Sequence, residues 1–330
     1  MGNMDPTNNF WKEVRGKLCP WKFLKPFFAA RGYTLYQSNP LSILDFYPAP
    51  TSGTAKPSCE PQFPYARRVY REDRDIVFFF GSTRVWAARD TQGRDVIIRL
   101  ISGRVPSDEL KVFQRLGTPE IRADPRNHSI HALDYINFDV LVFVVMHRWN
   151  EAINHDFHNV REIMHFTEAV LEGVDFWHEH RIAHCDLLEP NTDLNVLATM
   201  RADCLEGLLL EDVTVTKFLH FGLRGHPTPP GPYNPFHFDI LCLGVMLQRW
   251  VRHIEDVVPN IGPFFESMVT DDIIKRFTAR QALNNFRDIY SRLSLSQLDS
   301  LVTGRQWLDG HIKTKLDLPT RLWTSAPGST

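Results

Sequence analysis

The stretch FDILCLGVML, residues 238–247, limits what this chain can fold into more than any other. Read as a helix it is apolar nearly all round, with Asp239 its one charge, and such a helix belongs in an interior. The sequence around it supplies elements to bury it. Residues 159–180 repeat apolar side chains at helical period, with Val160, Ile163, Met164, Thr167, Val170, Leu171, Val174 and Trp177 on one face. Asn159 and Glu162 are spaced as an N-cap and N3 pair at its start. Further on, Thr278 and Gln281 form a capping box, and Leu283, Phe286, Ile289, Tyr290 and Leu293 give the following helix a buried face. The earlier part of the chain reads differently. Residues 76–80, 83–89 and 94–101 are three successive strands, the last two joined by the turn Asp90-Thr91-Gln92-Gly93. Residues 107–116 are a short helix capped by Ser107, with Leu110, Phe113 and Leu116 facing inward. Residues 131–138 and 140–146 are two further strands. Strands first and helices after give an α+β chain.

With 330 residues the chain is long enough for one large domain or two lobes. A net charge of -2, with no long run of one sign, gives no support for nucleic acid or an anionic membrane as partner. The longest fully apolar run, residues 140–146, is far too short to span a bilayer. Gly2 follows Met1, but Pro6 stands where a myristoylation site needs Ser or Thr. No signal-peptide pattern opens the chain, and its five cysteines (Cys19, Cys59, Cys185, Cys204 and Cys242) lie far apart. The odd count fits a reducing compartment, so an intracellular protein is expected. Residues 1–65 are an extension: short helices within residues 9–28, broken by Pro20 and Pro26, then a Pro- and Ser-rich linker over 39–64. It is either packed on the domain or an arm that binds a partner.

Residues 181–197 read RIAHCDLLEPNTDLNVL. His184-Cys185-Asp186 followed by Asn191 resembles the catalytic loop of protein kinases, His-Arg-Asp-Leu-x-x-x-Asn. Val96-Ile97-Ile98-Arg99 resembles the strand Val-Ala-Ile-Lys, with Arg99 at the lysine position. Glu109-x-x-Val112-Phe113-x-x-Leu116 resembles the kinase helix whose glutamate pairs with that lysine, which makes Arg99 and Glu109 a candidate ion pair. His220-Phe221-Gly222 resembles Asp-Phe-Gly with the aspartate changed. Residues 238–247 resemble the central helix, D-x-x-x-L-G-x-x-L, and Arg276-Phe277-Thr278-Ala279 resembles the Arg-Pro-Thr-Ala before a late helix. In order along residues 70–294, these motifs resemble a divergent, fungal-type protein-kinase family.

That resemblance implies a bilobal fold. A small antiparallel β-rich N-lobe would take residues 66–147 and a larger, mostly helical C-lobe residues 148–294, with a loosely attached tail over 295–330. The hinge would fall at Met146-His147-Arg148-Trp149, beside a nucleotide cleft. Asp186 would be the catalytic base, and Asn191 or Asn195 the magnesium ligand. Arg99, Glu109, Gly81, Met146 and His220 would surround the nucleotide. His184, Asp239 and Arg276 would be scaffold, with Asp239 bracing the backbone of the catalytic loop.

The departures bear on activity. The three glycine positions of the phosphate loop fall on Phe78, Phe80 and Thr83, leaving only Gly81, out of register. Arg99 keeps a charge but places its donors differently from lysine. Cys185 and Leu188 replace a regulatory arginine and a phosphate-holding lysine. His220 puts an imidazole where Mg²⁺ prefers a carboxylate. The segment from His220 to Asp239 is short and proline-rich, without an Ala-Pro-Glu motif. The expectation is a pseudokinase that binds or scaffolds an unknown protein partner, with weak or absent binding of ATP and Mg²⁺. The alternative is an atypical Ser/Thr kinase using Asp186 as base, with Glu211 or Asp212 as spare carboxylates. A small-molecule kinase is a third reading.

Overall fold

The structure is a computed structural model. It describes residues 20–36, 46–48, 67–68, 77–79, 84–148, 150–151, 157–185, 187, 193–194, 196–197, 233–308 and 310–314. These are α+β, with a five-stranded antiparallel sheet and several helices, in two compact units.

The first unit holds helix α1 (Pro20–Ala29) and the strands β1 (Thr34–Leu35), β2 (Val85–Arg89), β3 (Asp95–Ser102), β4 (Ala132–Phe138) and β5 (Leu141–His147). They pair in the order β1-β2-β3-β5-β4. The β2–β3 turn forms as its sequence predicts. Asp90 accepts hydrogen bonds from the backbone of Gln92 and Arg94, and Gly93 takes φ 78°, where a side chain would be strained. Helix α1 covers one sheet face. Trp21, Leu24 and Phe28 pack with Trp86, Ile98, Leu100, Phe143 and Val145. On the other face lies α2 (Asp108–Leu116), burying Leu110, Phe113 and Leu116, and the short α3 (Pro119–Arg122) follows it.

Two expectations are corrected here. Pro26 does not break its helix: α1 runs through it. Lys22 and Pro26 are both exposed, so water can satisfy the carbonyl that proline leaves without a donor. The first of the three expected strands, Val77–Phe79, does not join this sheet; it pairs with Phe46–Pro48. Its expected place beside β2 is held by β1, because Leu35 and Tyr36 are apolar enough to be buried there. Residues 20–36, assigned from sequence to the extension, therefore supply part of this unit's core.

That edge contains a buried polar cluster. The Tyr36 hydroxyl donates to Asp95 at 2.5 Å, and Arg89 donates to the same oxygen through Nε at 3.1 Å and Nη2 at 3.0 Å. Burial pushes the Tyr36 phenol well above its ordinary pKa, against the pull of Arg148 over its ring.

The second unit holds α4 (Val160–Glu179), α5 (Pro235–Val251), α6 (Ile261–Val269), α7 (Ala279–Ser291) and α8 (Leu295–Leu298). All eight expected apolar positions of α4 are buried. Asn159 caps it by accepting from the Glu162 N–H, while Glu162 reaches back to the N–H of His158 rather than Asn159. Helix α5 is buried nearly all round, as its composition predicts. Its Gly244 permits close approach of α6: a Cβ there would lie 2.7 Å from Met268 Cβ. Helix α7 carries the Thr278–Gln281 capping box and buries Leu283 and Phe286, with Ile289, Tyr290 and Leu293 partly buried. Arg280 joins α7 to the buried Asp175 of α4 at 2.8 Å.

Of the expected tail, residues 295–308 are tied into this unit. Ser300 and Val302 exchange backbone hydrogen bonds with Val160 and His158. Arg305 opens a hairpin of β6 (Arg305–Leu308) and β7 (His311–Thr314), and donates to the His253 carbonyl and to Asp256.

Two measurements follow. Asp95→Ala removes the buried carboxylate that accepts from both Arg89 and Tyr36 and lowers stability by about 3–5 kcal/mol, whereas Tyr36→Phe removes one charge-assisted bond and costs about 1.5–3 kcal/mol. Urea unfolding monitored by tryptophan fluorescence reads both. The second concerns His253, buried with neither ring nitrogen hydrogen-bonded among the described residues. Burial, then Arg305, pulls its pKa down to about 4, with Asp256 opposing. The unfolded chain therefore binds this proton first. The contribution is fully present above about pH 6.5 and is lost as pH falls toward about 4, a loss of roughly 3 kcal/mol. His131 and His147 shift the same way, so the diagnostic is the difference between wild type and His253→Leu across that window.

Candidate functional site

In the first unit, Arg99 and Met146 both point to the sheet face away from α1, since Arg99 stands opposite Val144 and Ile97 opposite Met146. Arg99 is only 2 % exposed. Its Nε and Nη2 both donate to Oε1 of Glu109, at 2.7 and 2.6 Å. The pairing works because Ser107 fixes the start of α2. Its hydroxyl accepts from the Leu110 N–H and donates to the Ile101 carbonyl, so the helix begins against the end of β3. Glu109 then projects from the first turn over the sheet. Burial pulls the Arg99 pKa down to about 10, with Glu109 opposing and Arg84 adding to the fall. Arg84 is a participant the sequence reading missed. It donates to the Leu100 carbonyl at 3.1 Å and lies 3.4 Å from Glu109 Oε2. One carboxylate thus serves two guanidinium groups. Met146 is fully buried.

In the second unit the organising group is Asp239. Helix α4 ends in a Schellman arrangement: Ile182 N–H donates to the Trp177 carbonyl and Arg181 N–H to that of His178. Arg181 takes the left-handed φ of 59° that this turn requires. The chain then turns back past α4, where the His184 ring stacks on Trp177, the planes 14° apart. Asp239, fully buried in the first turns of α5, collects its N–H groups. His184 N donates to Oδ2 at 2.8 Å and Cys185 N to Oδ1 at 2.6 Å. His178 Nε2 makes a third contact with Oδ2 at 3.0 Å. Cys185 is held at φ 60°, strained backbone for a side chain other than glycine, immediately before Asp186. Leu187, after it, is buried. His178 carried no sequence signal, because a histidine on the flank of a helix looks like surface until its partner is known.

Arg276 also acts on backbone. It donates to the Thr270 carbonyl from Nε at 3.0 Å and Nη2 at 2.6 Å, and to His237 from Nη1 at 3.2 Å. It ties the entry of α7 to the start of α5.

Asp186, Asn191, Asn195, Gly81 and His220 lie outside the described residues, as do Phe80, Thr83, Phe221 and Gly222. Val196–Leu197 is a short strand, paired with Arg67–Arg68. Among the described residues, no group of three or more His, Cys, Asp and Glu side chains is gathered to hold a metal. No helix among them is long and apolar enough to cross a membrane. Compared with known proteins, the chain matches no family model and no curated protein.

Asp239→Ala removes the acceptor from two backbone N–H groups and costs about 3–5 kcal/mol. Asp239→Asn keeps one acceptor oxygen and recovers part of that. Hydrogen exchange should report the loss locally, as faster exchange at His184 and Cys185 than at residues of α7. Equal protection of those two amides in Asp239→Ala would refute the bracing role.

Proposed function

We propose that this chain is a divergent protein-kinase-like domain, with a small β-rich lobe and a larger helical lobe, that acts by binding a protein partner rather than by catalysis. The observation that carries this reading is Asp239. A buried carboxylate in the first turns of an apolar helix takes the backbone N–H groups of His184 and Cys185, directly ahead of Asp186. A family resemblance in two distant stretches of sequence corresponds to a physical connection between them. The Arg99–Glu109 pair supports the same reading from the first unit.

The residues fit ATP and Mg²⁺ poorly. Arg99 is buried and its Nε and Nη2 are already engaged by Glu109, so a phosphate would have to compete with a carboxylate for it. His220 offers an imidazole where a hard cation prefers a carboxylate oxygen. If each altered contact removed about 2–4 kcal/mol of transition-state stabilisation, two independent losses would slow transfer about a thousandfold or more. The alternative, an atypical Ser/Thr kinase with Asp186 as base, draws on Arg99: the cation and its carboxylate partner are both retained, only the donor geometry being changed.

A thermal-shift titration with ATP, with and without Mg²⁺, separates the two. Wild type and Asp186→Ala should show no magnesium-dependent shift. A ligand at about 100 times its Kd would add about 2.7 kcal/mol. A shift of that size, dependent on magnesium and followed by phosphate transfer that Asp186→Ala abolishes, would replace the binding reading with the enzyme.

A further inference from the structure

We propose that the outward face of α1 is a docking surface for an acidic segment of a partner protein, anchored by a large apolar side chain. Helix α1 buries Trp21, Leu24 and Phe28 in the sheet and leaves Lys22, Phe23, Lys25 and Pro26 exposed. Phe23 is 71 % exposed, an unusual state for so large an apolar side chain. It is not isolated. Its ring meets Phe138 edge-on at 6.3 Å, and Phe27 meets the same ring at 4.7 Å. Val140, in the turn that follows, is also exposed. Aromatic side chains from α1 and from the edge strand β4 thus form one continuous apolar patch, the kind of surface that marks an interaction site.

Charge identifies the occupant. Lys22 and Lys25 lie one helical turn apart beside Phe23, and Arg31 sits over the Phe27 ring at 3.7 Å. Among the described residues none of these three cations has an ion-pair partner. The whole chain carries a net charge of -2, so a run of unpaired cations around an aromatic patch is not its average surface. On the β4 side, Asp134 takes the Tyr33 hydroxyl and Asp139 occupies the turn. A partner would therefore set its carboxylates over α1 and its apolar anchor on Phe23 and Phe138. A membrane surface fits less well. An interfacial helix immerses its whole apolar face, and the apolar face of α1 is already committed to the core.

The test is a random peptide library displayed on phage, panned against the full chain. Enriched peptides should carry net negative charge and at least one large apolar residue. Their affinity, read by fluorescence anisotropy, should fall about tenfold or more in Phe23→Ser and in Lys22→Glu with Lys25→Glu. Added salt should weaken them, and Ile274→Ser, at an exposed apolar position of the second unit, should leave them unchanged. The changed side chains are exposed, so thermal midpoints should match wild type, and a variant that melts earlier is replaced by Phe23→Gln. Failure to enrich any peptide, enrichment without acidic residues, or equal affinity for the Phe23 and lysine variants overturns the proposal. So does binding to phosphatidylserine-containing vesicles that the same substitutions abolish while no peptide binds, which would make the patch a membrane contact. None of these readings involves nucleotide.

Discussion

A carboxylate with no access to water dominates the second unit. Asp239 is the one charge in the apolar stretch 238–247 of α5, and burying it unpaired would cost several kcal/mol. The cost is offset by donors that the neighbouring turn and ring stack hold in place. The Schellman turn after α4 and the stacking of His184 on Trp177 bring two consecutive backbone N–H groups to its two oxygens. The dependence is mutual. Those N–H groups belong to a loop without regular structure, and Asp239 supplies them with an acceptor that no ladder provides. Arg276 does the converse work, supplying donors to the carbonyls of Thr270 and His237. Both residues stabilise backbone that cannot stabilise itself.

The first unit solves the same problem with side chains. Its central strands are buried on both faces, yet they carry Arg89, Asp95 and Arg99. Each charge faces a partner: Arg89 and Asp95 each other with Tyr36, and Arg99 the Glu109 of α2. The pairs act as registration devices. Arg89 and Asp95 lock the β2–β3 hairpin at its turn end, and Glu109 fixes where α2 crosses the sheet. A one-residue slip of either strand would move these cations to the face packed by α1, away from the carboxylates that hold them.

Much of this was legible. The β2–β3 turn, the Ser107 and Thr278 caps and the buried faces of α2 and α4 rest on local rules, in which a residue's conformation or period decides the outcome within a few positions. Arg99 and Glu109 were paired because their two stretches resemble the kinase lysine strand and glutamate helix. Arg84, the second cation at Glu109, was not, because nothing local distinguishes it from a surface arginine. Pro26 was read as a helix breaker on a local rule that tertiary packing overrode: Trp21, Leu24 and Phe28 hold α1 together across it.

The sequence by itself determined the α+β class and the burial of α5, since these follow from composition and periodicity along the chain. Only the tertiary structure decided which strand completes the sheet, that residues 295–308 pack onto α4 and the α5–α6 connection, and that His178, His184 and Cys185 converge on Asp239. Those outcomes depend on pairings between residues far apart in sequence. Such pairings are selected by which buried groups find a partner, and no local pattern records that.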